Sequence, residues 1–101
     1  MNIKINSIHF DADQKLEEFI QSKVSKLMQF SDSIIGAEVF LKLEKSNEKN
    51  FDSKVTTIKL EIPGYDLIAE KQAGTFEEAT DSTVEALRKQ LTKQKEKTKN
   101  I

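Results

Sequence analysis

Cysteine is absent from this 101-residue chain. That excludes disulfides, a thiolate metal site and a cysteine nucleophile, and it gives no sign of export into an oxidising compartment. Glycine occurs three times, so there is no glycine-rich phosphate loop, and neither an HExxH nor a DxDxDG pattern is present. Histidine occurs once, as His9 beside Phe10, where a packing or surface role is the ordinary reading. Phe40, Phe51 and Tyr65 offer rings on which a base stacks, but they do not form the aromatic cluster of single-strand readers. Long apolar runs are also missing. The N-terminal MNIKINSIHF alternates apolar and polar residues, so neither a signal peptide nor a membrane span is expected, and the expected location is cytoplasmic.

Carboxylates are plentiful, but Glu17-Glu18 and Glu77-Glu78 fall in expected first helical turns, where the helix dipole and solvation account for them. No catalytic residue, cofactor, metal ligand or small-molecule substrate is expected from this composition, so the protein is not expected to be an enzyme. With 37% hydrophobic and 33% charged residues, it reads as one highly soluble domain with a modest core.

What the chain does have is segregated charge. The segment 87–101, LRKQLTKQKEKTKNI, carries Arg88, Lys89, Lys93, Lys95, Lys97 and Lys99 against Glu96, a net +5. The whole chain sums to −1, which leaves −6 on residues 1–86. Clustered cations attract phosphate backbones whatever the net charge. A solvated helix end, where Lys and Arg complement the dipole, is the competing account.

Ile3, Ile5 and Ile8 alternate with polar residues as in a half-buried strand. Asp11, three residues before Gln14, reads as an N-cap with Gln14 reaching back. Leu16, Phe19, Ile20, Val24, Leu27 and Met28 then follow at helical spacing, giving a first helix over about 13–30. Ala37, Val39, Leu41 and Leu43 share one strand face, and residues 46–52 read as a polar hairpin loop. Thr56, Ile58, Leu60 and Ile62 share the face of a second strand, and Pro63-Gly64 turns the chain. A third strand over about 65–71 carries Leu67 and Ala69. Thr75 and Glu78 form a T-x-x-E capping box that opens a last helix through Phe76, Thr80, Val84, Leu87 and Leu91. The expected fold is therefore α+β. It is a β-α-β-β-β-α two-layer sandwich, a four-stranded sheet with both helices on one face, like a double-stranded-RNA-binding domain.

At ~100° per residue, Lys89, Lys93 and Lys97 lie roughly opposite the apolar line of the last helix. Arg88, Lys95 and Lys99 form a second row flanking that line. Glu85, four residues before Lys89, is the one glutamate placed to neutralise a cation at that spacing. Lys23 and Lys26 sit on the second half of the first helix. Lys42 and Lys45 lie on or just after a strand, where each taken singly reads as a plain solvent-facing lysine.

The segment RKQLTKQKEK, preceded by Asp81 in the same helix, resembles the C-terminal signature of the ribosome hibernation promoting factors, also called ribosome-associated translation inhibitors. Leu16, Phe19, Lys23, Lys26 and Leu27 are similar to that family's first helix. Val39, Leu41, Lys42, Glu44 and Lys45 are similar to its VxLKxEK-like strand, and Ala69 and FEEATD to the stretch that opens its last helix. The resemblance covers essentially the whole chain, as a single ribosome-binding domain over 1–101, and corresponds to the short form of the family. Two positions depart from the pattern, Ala86 in place of a lysine and Thr80 in place of an apolar residue.

The resemblance implies a monomeric factor, with no membrane partner, that binds the small ribosomal subunit and its rRNA in the messenger and transfer RNA channel. There it would block the A and P sites and inhibit translation. By position, it implies rRNA contacts from Arg88, Lys89, Lys93, Lys95 and Lys97, with Lys23, Lys26, Lys42 and Lys45 as a secondary set. A free-standing structured-RNA binder, or a protein-interaction module using a strand edge or Phe40 and Ile68, stands as the alternative.

Overall fold

The computed structural model of the protein describes residues 2–8, 12–43 and 54–99, with side chains described within 3–93. His9, Phe10, Asp11, Lys45 and the 46–52 loop with Phe51 lie outside the described residues, as do the side chains of Lys95, Lys97 and Lys99. The elements follow the expected order: β1 (Asn2–Ile8), α1 (Gln14–Gln29), β2 (Gly36–Leu43), β3 (Lys54–Ile62), β4 (Tyr65–Ala73) and α2 (Phe76–Lys99). They form one four-stranded sheet in the order β1-β2-β3-β4. The β2-β3 and β3-β4 pairs are antiparallel, with Val39 opposite Ile58 and Ile58 opposite Ala69. β1 lies parallel to β2, with Ile5 opposite Val39, so the sheet is mixed. The parallel pairing follows from the crossover: α1 carries the chain back along the sheet before β2 begins.

Register places Ala37, Val39, Leu41, Ile58, Leu60, Leu67 and Ala69 on one sheet face. There they meet Ile20, Val24, Leu27 and Met28 of α1, and Phe76, Leu87 and Leu91 of α2, in one core. Both helices therefore cover the same face, as expected, with α2 lying over β3 and β4 and α1 over β1. The period-two pattern breaks at two places. Leu43, expected on the core face, is the last residue of β2 and is 42% exposed. Val55, opposite Lys42 and Gln72, is buried on the other face and stands outside the main core.

The N-cap of α1 is Asp13 rather than Asp11. Its carboxylate accepts the Leu16 amide at 2.8 Å, so the capping oxygen serves the third amide of the helix. Gln14 is then the first helical residue, and its amide donates to Glu18 at 3.1 Å instead of reaching back. At α2 the expected cap holds: Thr75 Oγ1 accepts the Glu78 amide at 3.1 Å. Between β3 and β4, Gly64 has φ +90°, the left-handed value that a type II turn with proline ahead of it requires.

The buried line of α2 is Phe76, Ala79, Thr80, Thr83, Leu87 and Leu91, whereas Val84 is only half-buried. The helix is turned so that three threonines meet over β3. Thr80 Oγ1 lies 3.4 Å from Thr56 Oγ1. Thr83 Oγ1 is 2.7 Å from the Ala79 carbonyl within the helix and 3.1 Å from the Thr56 carbonyl on the sheet, and it donates its one proton between them. Thr56, Thr80 and Thr83 are fully buried. Each hydroxyl buried here has a partner, so the polar patch carries no unmet desolvation cost.

Thr83→Val should therefore cost about 1–2 kcal/mol in urea unfolding, because it strips a buried hydrogen bond to the sheet. Thr92→Val removes only an exposed bond within the helix, to the Arg88 carbonyl at 2.9 Å. Its expected cost is below about 0.5 kcal/mol. Equal costs for the two variants would show that the threonine patch does not secure α2.

Candidate nucleic-acid interface

With Leu87 and Leu91 facing the sheet, Arg88, Lys89, Thr92 and Lys93 are left on the exposed side of α2. They line a shallow surface concavity of about 440 Å³ together with Glu85. Lys89 and Lys93 are one helical turn apart, about 6 Å along the axis. Glu85, placed by spacing within reach of Lys89, instead forms an ion pair with Arg88, with Oε1 3.6 Å from the guanidinium. Among the described residues, Lys26, Lys89 and Lys93 have no ion-pair partner.

A second concavity of about 390 Å³ runs between the two helices. Lys23, Lys26, Leu27 and Phe30 of the α1 side and Asp81, Val84, Glu85 and Arg88 of α2 line it. Val84 is half-buried because it faces this groove rather than the sheet. Lys23 crosses the groove to Asp81 at 3.1 Å, and its ammonium also stands 5.5 Å from the centre of the Phe19 ring. The groove thus brings together Lys23, Lys26 and Arg88, three cations from two helices that have no relation in sequence.

The rest of the expected set divides. Lys89 and Lys93 adjoin the groove on the outer face of α2. Lys42 is exposed on β2, where the alternation with buried Leu41 puts it on the sheet face away from the helices. It stands apart from the helix cations. Sequence reasoning missed the roles of Asp81 and Glu85 beside these cations. Asp81 was visible as an acidic position in the last helix, but nothing local connects it to Lys23, 58 residues earlier. Among the described residues, no group of three or more histidine, cysteine or acidic side chains is placed to hold a metal, and no helix is long and apolar enough to cross a membrane.

The molecule is thus a small two-layer α+β protein of formal charge −1 whose helix layer gathers Lys23, Lys26, Arg88, Lys89 and Lys93 on one side of the sheet. The fold is that of a ribosomal subunit interface protein from Coxiella burnetii, with a TM-score of 0.77 and 20% identity over 94% of this chain and 98% of the other. It is equally that of the N-terminal domain of Protein Y from Thermus thermophilus, with a TM-score of 0.75 and 21% identity over 92% and 98%. Residues 3–99 match the family described as Sigma 54 modulation protein / S30EA ribosomal protein, and the chain belongs to that family, which includes the ribosome hibernation promoting factors. The relative named ribosome hibernation promoting factor in Pseudomonas putida is 27% identical over 101 residues, spanning 100% of this chain and 93% of its own length. The relative of that name in Escherichia coli K12 is 29% identical over 99 residues, 98% of each.

The Lys23 and Asp81 side chains are 36% and 55% exposed, so their pairing contributes little to folding. A double-mutant cycle with Lys23→Ala and Asp81→Ala should return a coupling of about 0.2–1 kcal/mol in urea unfolding. A coupling of several kcal/mol would make the pair a structural clasp between the helices.

Proposed function

We propose that this protein is a ribosome hibernation factor. It binds the small ribosomal subunit through rRNA in the channel used by messenger and transfer RNA, and so blocks the A and P sites and holds ribosomes inactive. Residues 1–101 act as a single ribosome-binding domain, monomeric when free, in the compartment where ribosomes work. The observation that carries this reading is the exposed row Lys89 and Lys93, which have no ion-pair partner among the described residues, beside the inter-helix groove with Lys23, Lys26 and Arg88. Family membership supports a ribosomal partner, because relatives that match this chain over nearly its full length are named for ribosome hibernation.

The mechanism is occlusion. The sheet and its two helices form a rigid wedge, and phosphate contacts from the helix layer keep it in place. Such contacts position a protein on structured RNA without reading sequence, so shape and charge set the affinity. Lys95 and Lys97 continue the charged end of α2, Lys45 follows Lys42 past the end of β2, and all of them belong to the proposed rRNA-binding set.

Co-sedimentation with small subunits should fall steeply with salt, with a log-log slope of roughly −3 to −5 if about five phosphates are neutralised. Messenger and transfer RNA should compete for the site. The triple variant Lys89→Glu, Lys93→Glu, Lys97→Glu should lose binding while its circular dichroism and unfolding midpoint stay those of the parent. A salt-independent association, or a folded triple variant that still co-sediments, would sink this reading in favour of a protein-interaction module.

A further inference from the structure

The cations of the helix layer are of two kinds. Lys26, Lys89 and Lys93 have no ion-pair partner among the described residues, whereas Lys23 and Arg88 each face a carboxylate from α2. Asp81 lies 3.1 Å from Lys23 and Glu85 lies 3.6 Å from Arg88, and both acids line the same inter-helix groove as the cations they meet. Acids inside a phosphate-binding groove oppose its apparent purpose. Their contribution to folding, with side-chain exposures between 36% and 58%, is small and gives only a weak stability reason for them.

We infer that Asp81 and Glu85 are specificity-determining residues that compete with RNA phosphate for Lys23 and Arg88, and so hold back binding to RNA in general. The inference rests on the proposed rRNA-binding function and adds a repulsive element to it. A phosphate approaching Lys23 has to share the ammonium with Asp81 and meets the carboxylate's own charge. An arbitrary duplex that reaches only these two cations gains little. A preformed site that engages Lys26, Lys89 and Lys93 together has enough surplus to displace both carboxylates. Specificity is a difference of affinities, and an internal competitor widens it by penalising the partner with fewer contacts. The exposure of both acids keeps them displaceable. The Phe19 ring beneath Lys23 retains the ammonium in the groove when Asp81 is displaced.

The test compares the parent chain with Asp81→Asn, Glu85→Gln and the double variant, binding either isolated small ribosomal subunits or an unrelated 20-base-pair RNA duplex, across a salt series. A carboxylate and a phosphate about 6 Å apart in water repel enough to change affinity about threefold. Each amide substitution should therefore raise duplex affinity by about threefold. It should also steepen the duplex salt slope by roughly 0.7–0.9, the value for one further neutralised phosphate. Affinity for the subunit should rise less, so the preference for the subunit falls. Measured in a Lys23→Gln background, Asp81→Asn should give no gain on duplex beyond that background, whereas a general change in charge would give the same gain with or without Lys23.

Unchanged or reduced duplex affinity in both amide variants, with the parent still preferring the subunit, would overturn the inference and make Asp81 a residue that merely positions Lys23. A parent chain that shows no preference for the subunit over the duplex would instead overturn the proposed function on which the inference stands.

Discussion

The seating of α2 on β3 decides what the rest of the molecule can present. Leu87 and Leu91 enter the core, while Thr80 and Thr83 set the helix against Thr56 through buried hydroxyls. Apolar contacts alone tolerate some rotation of a helix, because the hydrophobic effect has no direction. Hydrogen bonds do have direction, and Thr83 reaching the Thr56 carbonyl favours one rotational setting. That setting turns Arg88, Lys89 and Lys93 outward and brings Asp81, Val84 and Glu85 to face α1.

From this follows a division of the surface that net charge conceals. A chain of formal charge −1 carries a cluster of cations on its helix layer and a sheet whose open face mixes acids with neutral and basic residues. On that open face Asn6 donates to Glu38 at 3.2 Å, Thr57 donates to Glu70 at 2.6 Å, and Lys59 pairs with Asp66 at 3.6 Å. Much of its polarity is thus satisfied internally, while Lys26, Lys89 and Lys93 on the helix side have no ion-pair partner among the described residues. Unneutralised cations on a rigid support can meet several phosphates at once without first ordering a flexible segment, which conserves binding energy. The chain belongs to a family that includes the ribosome hibernation promoting factors, and in the proposed reading this is the surface that meets rRNA.

Legibility in the sequence was uneven for physical reasons. Strand faces were readable along the middle of the strands, as with Val39, Ile58 and Ala69. They failed at Leu43, at a strand end, and at Val55, buried on the face expected to meet solvent. The N-cap was displaced by two residues because Asp11 and Asp13 are both capable caps, and the choice rests on which oxygen reaches the Leu16 amide. Thr80, a departure from an apolar pattern, proved to be fully buried and partnered. Hydrophobicity periodicity passed over Thr83 because it scores threonine by its polarity and is blind to a hydrogen-bond acceptor waiting on another element.

By itself, the sequence determined the element order, the common face of both helices and the concentration of positive charge at the end of α2, since each of these is a local pattern of period two, period 3.6 or composition. It also carried the family resemblance. Only the tertiary structure decided that β1 lies parallel to β2, that Val84 faces α1, and that Lys23 meets Asp81 across a groove shared with Lys26 and Arg88. Contacts between residues 58 positions apart depend on the packing angle of two helices on one sheet, which is a property of the assembled core and of no segment within it.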